Sequence, residues 1–117
     1  MAVQTFGIKP PRDRGGRQYT QSTIESQDAS TAKTLVAAKA GHISVIDKLW
    51  FICDAAETVS ILVDTDELVG DMPVAANSMI SLEGIHCPTA NKAITIKTAN
   101  TSSVTAFIHY HYEGDAT

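Results

Sequence analysis

The chain has 117 residues, 44% of them apolar and 19% charged, with a net charge of −4. That length suits one domain, and the acidic balance argues against nucleic acid as the main partner. Only 6% of residues are aromatic, so the core must come from Val, Ile, Leu and Ala.

The leading segment differs from the rest. Residues 1–30 hold four basic residues (Lys9, Arg12, Arg14, Arg17) against three acidic ones, while the remainder holds five against ten. Met1 to Gly7 lacks a basic stretch followed by a long apolar one, so the expectation is synthesis in a cytoplasm without a leader. Lys9 to Arg17 contains two prolines and two glycines, which oppose any regular element. Gln18 to Ser30 is polar, with Ile24 as its lone large aliphatic residue. Ordering thirty such residues costs roughly 30 kcal/mol. Offsetting that by apolar burial needs on the order of 1,200 Å², the size of a protein interface. The expectation is an extended N-terminal arm over 1–30 and a folded domain over 31–117.

From Thr34 the pattern becomes strand-like. Thr34–Ala37 is a short apolar strand, closed by Lys39-Ala40-Gly41. His42–Cys53 is the longest strand candidate. In strict alternation Ile43, Val45, Asp47, Leu49, Phe51 and Cys53 share one face, and His42, Ser44, Ile46, Lys48, Trp50 and Ile52 share the other. The second half is apolar on both faces. Either a bulge near Asp47-Lys48 re-registers the strand, or Trp50 and Ile52 meet another subunit. The apolar run Leu49–Cys53 is far too short for a membrane-spanning helix. Cys53 and Cys87 are expected as buried free thiols, given a reducing compartment.

Thr58–Asp64 alternates cleanly, with Val59, Ile61 and Val63 on one side. Asp64-Thr65-Asp66-Glu67 reads as a turn. Met72 to Ser78 leads into a strand over Met79–Glu83. Cys87-Pro88-Thr89-Ala90-Asn91 is a loop, Ala93–Thr98 a strand, and Ala99 to Ser102 a turn. Val104–Tyr112 closes the domain, with Val104, Ala106, Ile108, Tyr110 and Tyr112 on one face. Six or seven short strands with turn residues every eight to twelve positions predict an all-β fold, an antiparallel β-sandwich.

Chemistry is thinly signalled. His109, His111 and Glu113 share a face of the last strand, a spacing compatible with metal chelation, but a polar outer face is the preferred reading. Histidines stacked around a symmetry axis are a third possibility. Asp64-x-Asp66-Glu67…Asp71 departs from a calcium loop where Leu68 stands. None of Ser44, Ser60 or Ser81 sits in a nucleophile elbow, although His42 and His86 are present. No phosphate loop or zinc-type cysteine pair occurs. The expectation is no enzyme, no catalytic residue, no metal and no cofactor. Trp50, the single tryptophan, and Tyr110 and Tyr112 suit either a core boundary or a contact surface.

The pieces Thr34-Leu35-Val36-Ala37-Ala38-x-Ala40-Gly41-His42-Ile43-x-Val45, Val59-x-Ile61, Leu68-Val69-Gly70-x-Met72-Pro73-Val74-Ala75-Ala76-Asn77 and Ala93-Ile94-x-Ile96 lead to a terminal strand ending near Tyr110. Over residues 34–112 this pattern resembles the tailed-phage capsid decoration, or cement, proteins. Ser78 stands where that group often has glycine, and the last strand is richer in histidine and aromatic residues. The resemblance implies a jelly-roll-like sandwich that forms a homotrimer on the virion exterior, with the major capsid protein as partner and neither nucleic acid nor membrane contacted directly. It gives Lys9, Arg12, Arg14 and Arg17 a capsid-gripping role, and with a trimer in view the strand face of Ile46, Trp50 and Ile52 and the amphipathic Tyr110 and Tyr112 are the candidates for the subunit interface. A lectin-like module of a fibre or appendage is the alternative, and a cupin-like metal protein a more distant one.

Overall fold

The structure is a computed structural model and describes residues 20–114. Eight strands follow in order: β1 (Thr20–Asp28), β2 (Lys33–Val36), β3 (His42–Cys53), β4 (Glu57–Val63), β5 (Asp66–Val74), β6 (Ile80–His86), β7 (Ile94–Thr98) and β8 (Ser103–Gly114). No helix occurs among the described residues. The strands form two antiparallel four-stranded sheets, ordered β1-β8-β3-β6 and β2-β7-β4-β5. This is the strand order of a jelly roll, in which successive strands are shared between two facing sheets.

The core lies between the sheets and is built from inward positions of nearly every strand. Phe51, Leu49, Ile61, Ile94, Ile96 and Ile108 are completely buried. Aliphatic β-branched side chains dominate because they pack well on a pleated surface. Buried polar groups are tied locally. Ser44 Oγ donates to the Lys92 carbonyl at 3.0 Å, and Thr98 Oγ1 donates to the Asn100 carbonyl at 2.8 Å. Buried Glu57 accepts from Asn100 N at 3.0 Å and so fixes the turn between β7 and β8.

Turns follow residue chemistry. The two-residue link from β4 to β5 has Asp64 at φ 53°, a left-handed conformation that Asp adopts more readily than most residues. Asn91, at φ 67°, accepts from Gly41 N at 2.6 Å through its side-chain Oδ1 and donates its backbone N–H to the His42 carbonyl at 3.1 Å. One residue thereby joins the loop before β7 to the turn before β3.

Three expectations change. The arm expected over 1–30 contains β1, which pairs with β8 from Thr20↔Tyr110 to Asp28↔Ser103. Ile24 reaches the core, and Ser22 Oγ donates to the Leu35 carbonyl across to the other sheet at 3.1 Å. The remainder of the expected arm, residues 1–19, lies outside the described residues. Second, β5 is a full edge strand where the sequence reading has a turn followed by a lead-in. Third, the strand count is eight.

Both cysteines are buried free thiols. Burial pushes the Cys53 thiol above its ordinary value, and the nearby carboxylates of Glu57 and Asp54 add to the effect. Cys87 Sγ donates to the Thr89 carbonyl at 3.1 Å.

Candidate contact surface

The outer face of the β1-β8-β3-β6 sheet is decided by one residue. The pairing of β3 with β8 shifts register between Ile46 and Lys48, leaving Asp47 as the extra residue of a bulge. A bulge reverses which side chains face the core beyond it. Before it, Ser44 and Ile46 point inward; after it, Leu49, Phe51 and Cys53 do, and Lys48, Trp50 and Ile52 point outward.

This places the five interface candidates on different sides. Trp50 and Ile52 lie half-buried on the outer face. Ile46 does not, because it is completely buried within its own subunit and has no surface to offer a neighbour. Tyr110 and Tyr112 also sit on the inward side, packed against the core at one end of the sandwich. Their rings meet edge to face at 5.5 Å, and Tyr112 Oη donates to the Ala37 carbonyl of the facing layer at 2.7 Å. Burial, then the neighbouring Tyr110, raises the Tyr112 phenol above its ordinary value. Lys9, Arg12, Arg14 and Arg17 lie outside the described residues.

The outer face has two ends. At one, Trp50 pairs with Phe107 across the β3–β8 ladder, and Ile52 follows beside Thr105. Phe107 is 46% exposed. Met79, 54% exposed, immediately precedes Ile80, the partner of Phe51, so alternation carries it to the Ile52 side. These are the exposed large apolar side chains of the described chain, and they converge on one end of one sheet. Phe107 was available to sequence reading as the outward residue between Ala106 and Ile108, but a single aromatic in an alternating strand gives no signal until its neighbours are known.

His109 borders this patch. Its ring stands edge-on to Trp50 at 4.8 Å, and Gln21 Nε2 lies 2.9 Å from its Nε2. A glutamine amide donates to a neutral imidazole nitrogen, which accords with a His109 pKa lowered by burial and then by Lys48, against the opposing pull of Asp47. Lys48 itself lies 5.7 Å from the Trp50 ring centre and 3.5 Å from Glu83.

The other end of the face is polar. His111 Nδ1 lies 2.8 Å from Asp47 Oδ2, and its Nε2 lies 2.9 Å from Glu113 Oε2. His111 thus bridges two carboxyl groups, one from each of the paired strands β3 and β8. His109, His111 and Glu113 share the outer face as expected, but the carboxylates engage His111 directly. Among the described residues no group of three or more His, Cys, Asp or Glu has a geometry that could hold a metal ion.

The opposite sheet carries an open cleft of about 640 Å³ lined by Thr58, Ser60, Leu62, Lys97 and the acidic residues Asp64, Asp66, Glu67 and Asp71, among others. Ser60 Oγ lies 3.2 Å from Glu67 Oε2 and 3.3 Å from Asp71 Oδ1, and it accepts from Asp71 N at 3.2 Å. The Ser60 hydroxyl is thus engaged with carboxylates and backbone. His42 Nδ1 meets the Ala40 carbonyl at 2.9 Å, and the Ser44 proton goes to Lys92, so neither forms a nucleophile pair with the other.

No protein-family model matches the sequence, and no curated protein does either.

Proposed function

We propose that this chain is a structural virion protein, a jelly-roll block that self-associates as a trimer and decorates the outside of a phage capsid. The observation that carries this reading is the apolar end of the β1-β8-β3-β6 sheet, where Trp50, Ile52 and Phe107 are gathered on an outward face. Large aromatic side chains grouped in this way are a recurrent property of protein contact surfaces. A domain of this size buries a limited core, and association through such a patch adds to its stability. The basic residues Lys9, Arg12, Arg14 and Arg17 supply the contact to an acidic shell of major capsid protein, opposite in sign to the acidic sandwich. The resemblance of residues 34–112 to decoration proteins supports the same reading.

The experiment is binding to purified phage shells, with mass spectrometry of purified particles beside it. The reading expects the chain to co-sediment with shells at a fixed ratio, and Arg12→Glu/Arg14→Glu to weaken binding at least tenfold. A chain that stays in the soluble fraction with every shell tried, and is missing from particles, contradicts it.

A further inference from the structure

Two ionisable side chains border the apolar end of the outer face, and they face each other. Lys48 and His109 are paired across the β3–β8 ladder. Both reach the Trp50 ring, the lysine at 5.7 Å and the imidazole edge-on at 4.8 Å. Alternation puts Phe107 on the same side as His109, two residues away along β8. The imidazole is thus part of the rim of the patch.

Its other side meets β1. Gln21 is the cross-strand partner of His109, and its amide Nε2 lies 2.9 Å from the ring Nε2. An amide NH2 donates and does not accept, so the ring nitrogen it meets is the one without a proton. A proton there turns an acceptor into a second donor. It also sets a cation directly opposite Lys48, and like charges opposed across a ladder destabilise.

We propose that His109 makes the contact between copies acid-sensitive: copies join while its ring is neutral and separate when it takes up a proton. This regulation presupposes the proposed meeting of copies at the Trp50 end. Joining strips water from the rim of the patch, which penalises a charge there. Lys48 opposes a second positive charge. The His109 pKa in the folded chain is already below the ordinary 6.5 for the same two reasons, burial first and Lys48 second.

Among the described residues the surrounding charges do not reverse the sign. Asp47 pulls the His109 pKa upward, but less than burial and Lys48 lower it, and its carboxylate is bound to His111 at 2.8 Å. Glu83 on β6 lies 3.5 Å from Lys48. His86 on β6 pairs with Val45 at the polar end. On β1, Glu25 and Asp28 stand beyond Thr23, the partner of Phe107. On β8, Glu113 engages His111.

The test is sedimentation velocity of the full chain and of His109→Gln at pH 7.5 and pH 5, at one ionic strength, with circular dichroism at both. Gln is uncharged at either pH and keeps an oxygen that accepts from Gln21. The parent should dissociate about tenfold more readily at pH 5, the scale set by about one proton taken up per copy, and the variant should change by less than about threefold. A parent that assembles equally at both pH values overturns the acid sensitivity and leaves the association reading standing. A parent that is monomeric at pH 7.5 overturns both. A variant as acid-sensitive as the parent overturns the role of His109. Proton NMR of the parent's His109 ring, titrated at protein concentrations below and above the association range, needs no variant. The assembled form should show the lower pKa, and equal values overturn the proposal.

Discussion

At His109 the imidazole is held neutral by its surroundings, and this has a measurable sign. Burial first and Lys48 second lower its pKa below the ordinary 6.5. The unfolded chain therefore binds the proton more readily than the folded one. The stability that neutral His109 contributes is whole above about pH 6.5 and is lost as pH falls through the lower folded value. Urea unfolding midpoints should drop between pH 7.5 and pH 5, and His109→Gln should drop less over the same interval. An equal or steeper drop in the variant contradicts the assignment. Ile61, completely buried among the strands of the second sheet, gives a packing test: Ile61→Ala should cost about 2–5 kcal/mol in the same measurement. Buried Cys53, with its raised pKa, should resist a thiol reagent in native buffer and react only on unfolding.

At the scale of elements, the legible strands were those whose alternation is clean. Val59, Ile61 and Val63 announced β4, and Ile94 and Ile96 announced β7. β1 was hidden because it is an edge strand that sends Ile24 to the core as its only apolar side chain, with a register shift between Ile24 and Gln27. β5 was hidden for related reasons. Its pairing with β4 shifts twice, Asp71 takes φ 42°, and Pro73 is tolerated because nothing described pairs with its other side. Most of the holding power of β1 is backbone ladder plus one side chain, so its contribution can be separated from that of residues 1–19. Deleting residues 2–19 should leave a cooperative unfolding transition. Deleting residues 2–28 should also strip Ile24 from the core and bare the edge of β8. The longer deletion should therefore lower stability by about 2 kcal/mol or more beyond the shorter one, or aggregate. Equal stability of the two forms would show that β1 adds nothing.

For the molecule as a whole, half of the candidate contact surface was readable in advance and half was not. Apolar residues on both sides of one strand marked Trp50 and Ile52 as unusual; the explanation by a bulge applied, since the register shifts at Asp47, and Trp50 and Ile52 face outward beyond it. The same bulge removed Ile46 from the surface, since strict alternation had grouped it with them. Tyr110 and Tyr112 were grouped with the interface by residue type, although their alternation with Ile108 already placed them on the core side. The proposed meeting place for copies of this chain is the Trp50, Ile52 and Phe107 end of one sheet. Light scattering of the purified chain at tens of micromolar, beside Trp50→Ser/Phe107→Ser, tests it most directly. A trimer mass that falls to the monomer in the variant, with circular dichroism unchanged, is the predicted result; a monomeric parent chain, or a variant that assembles as well as its parent, would contradict it.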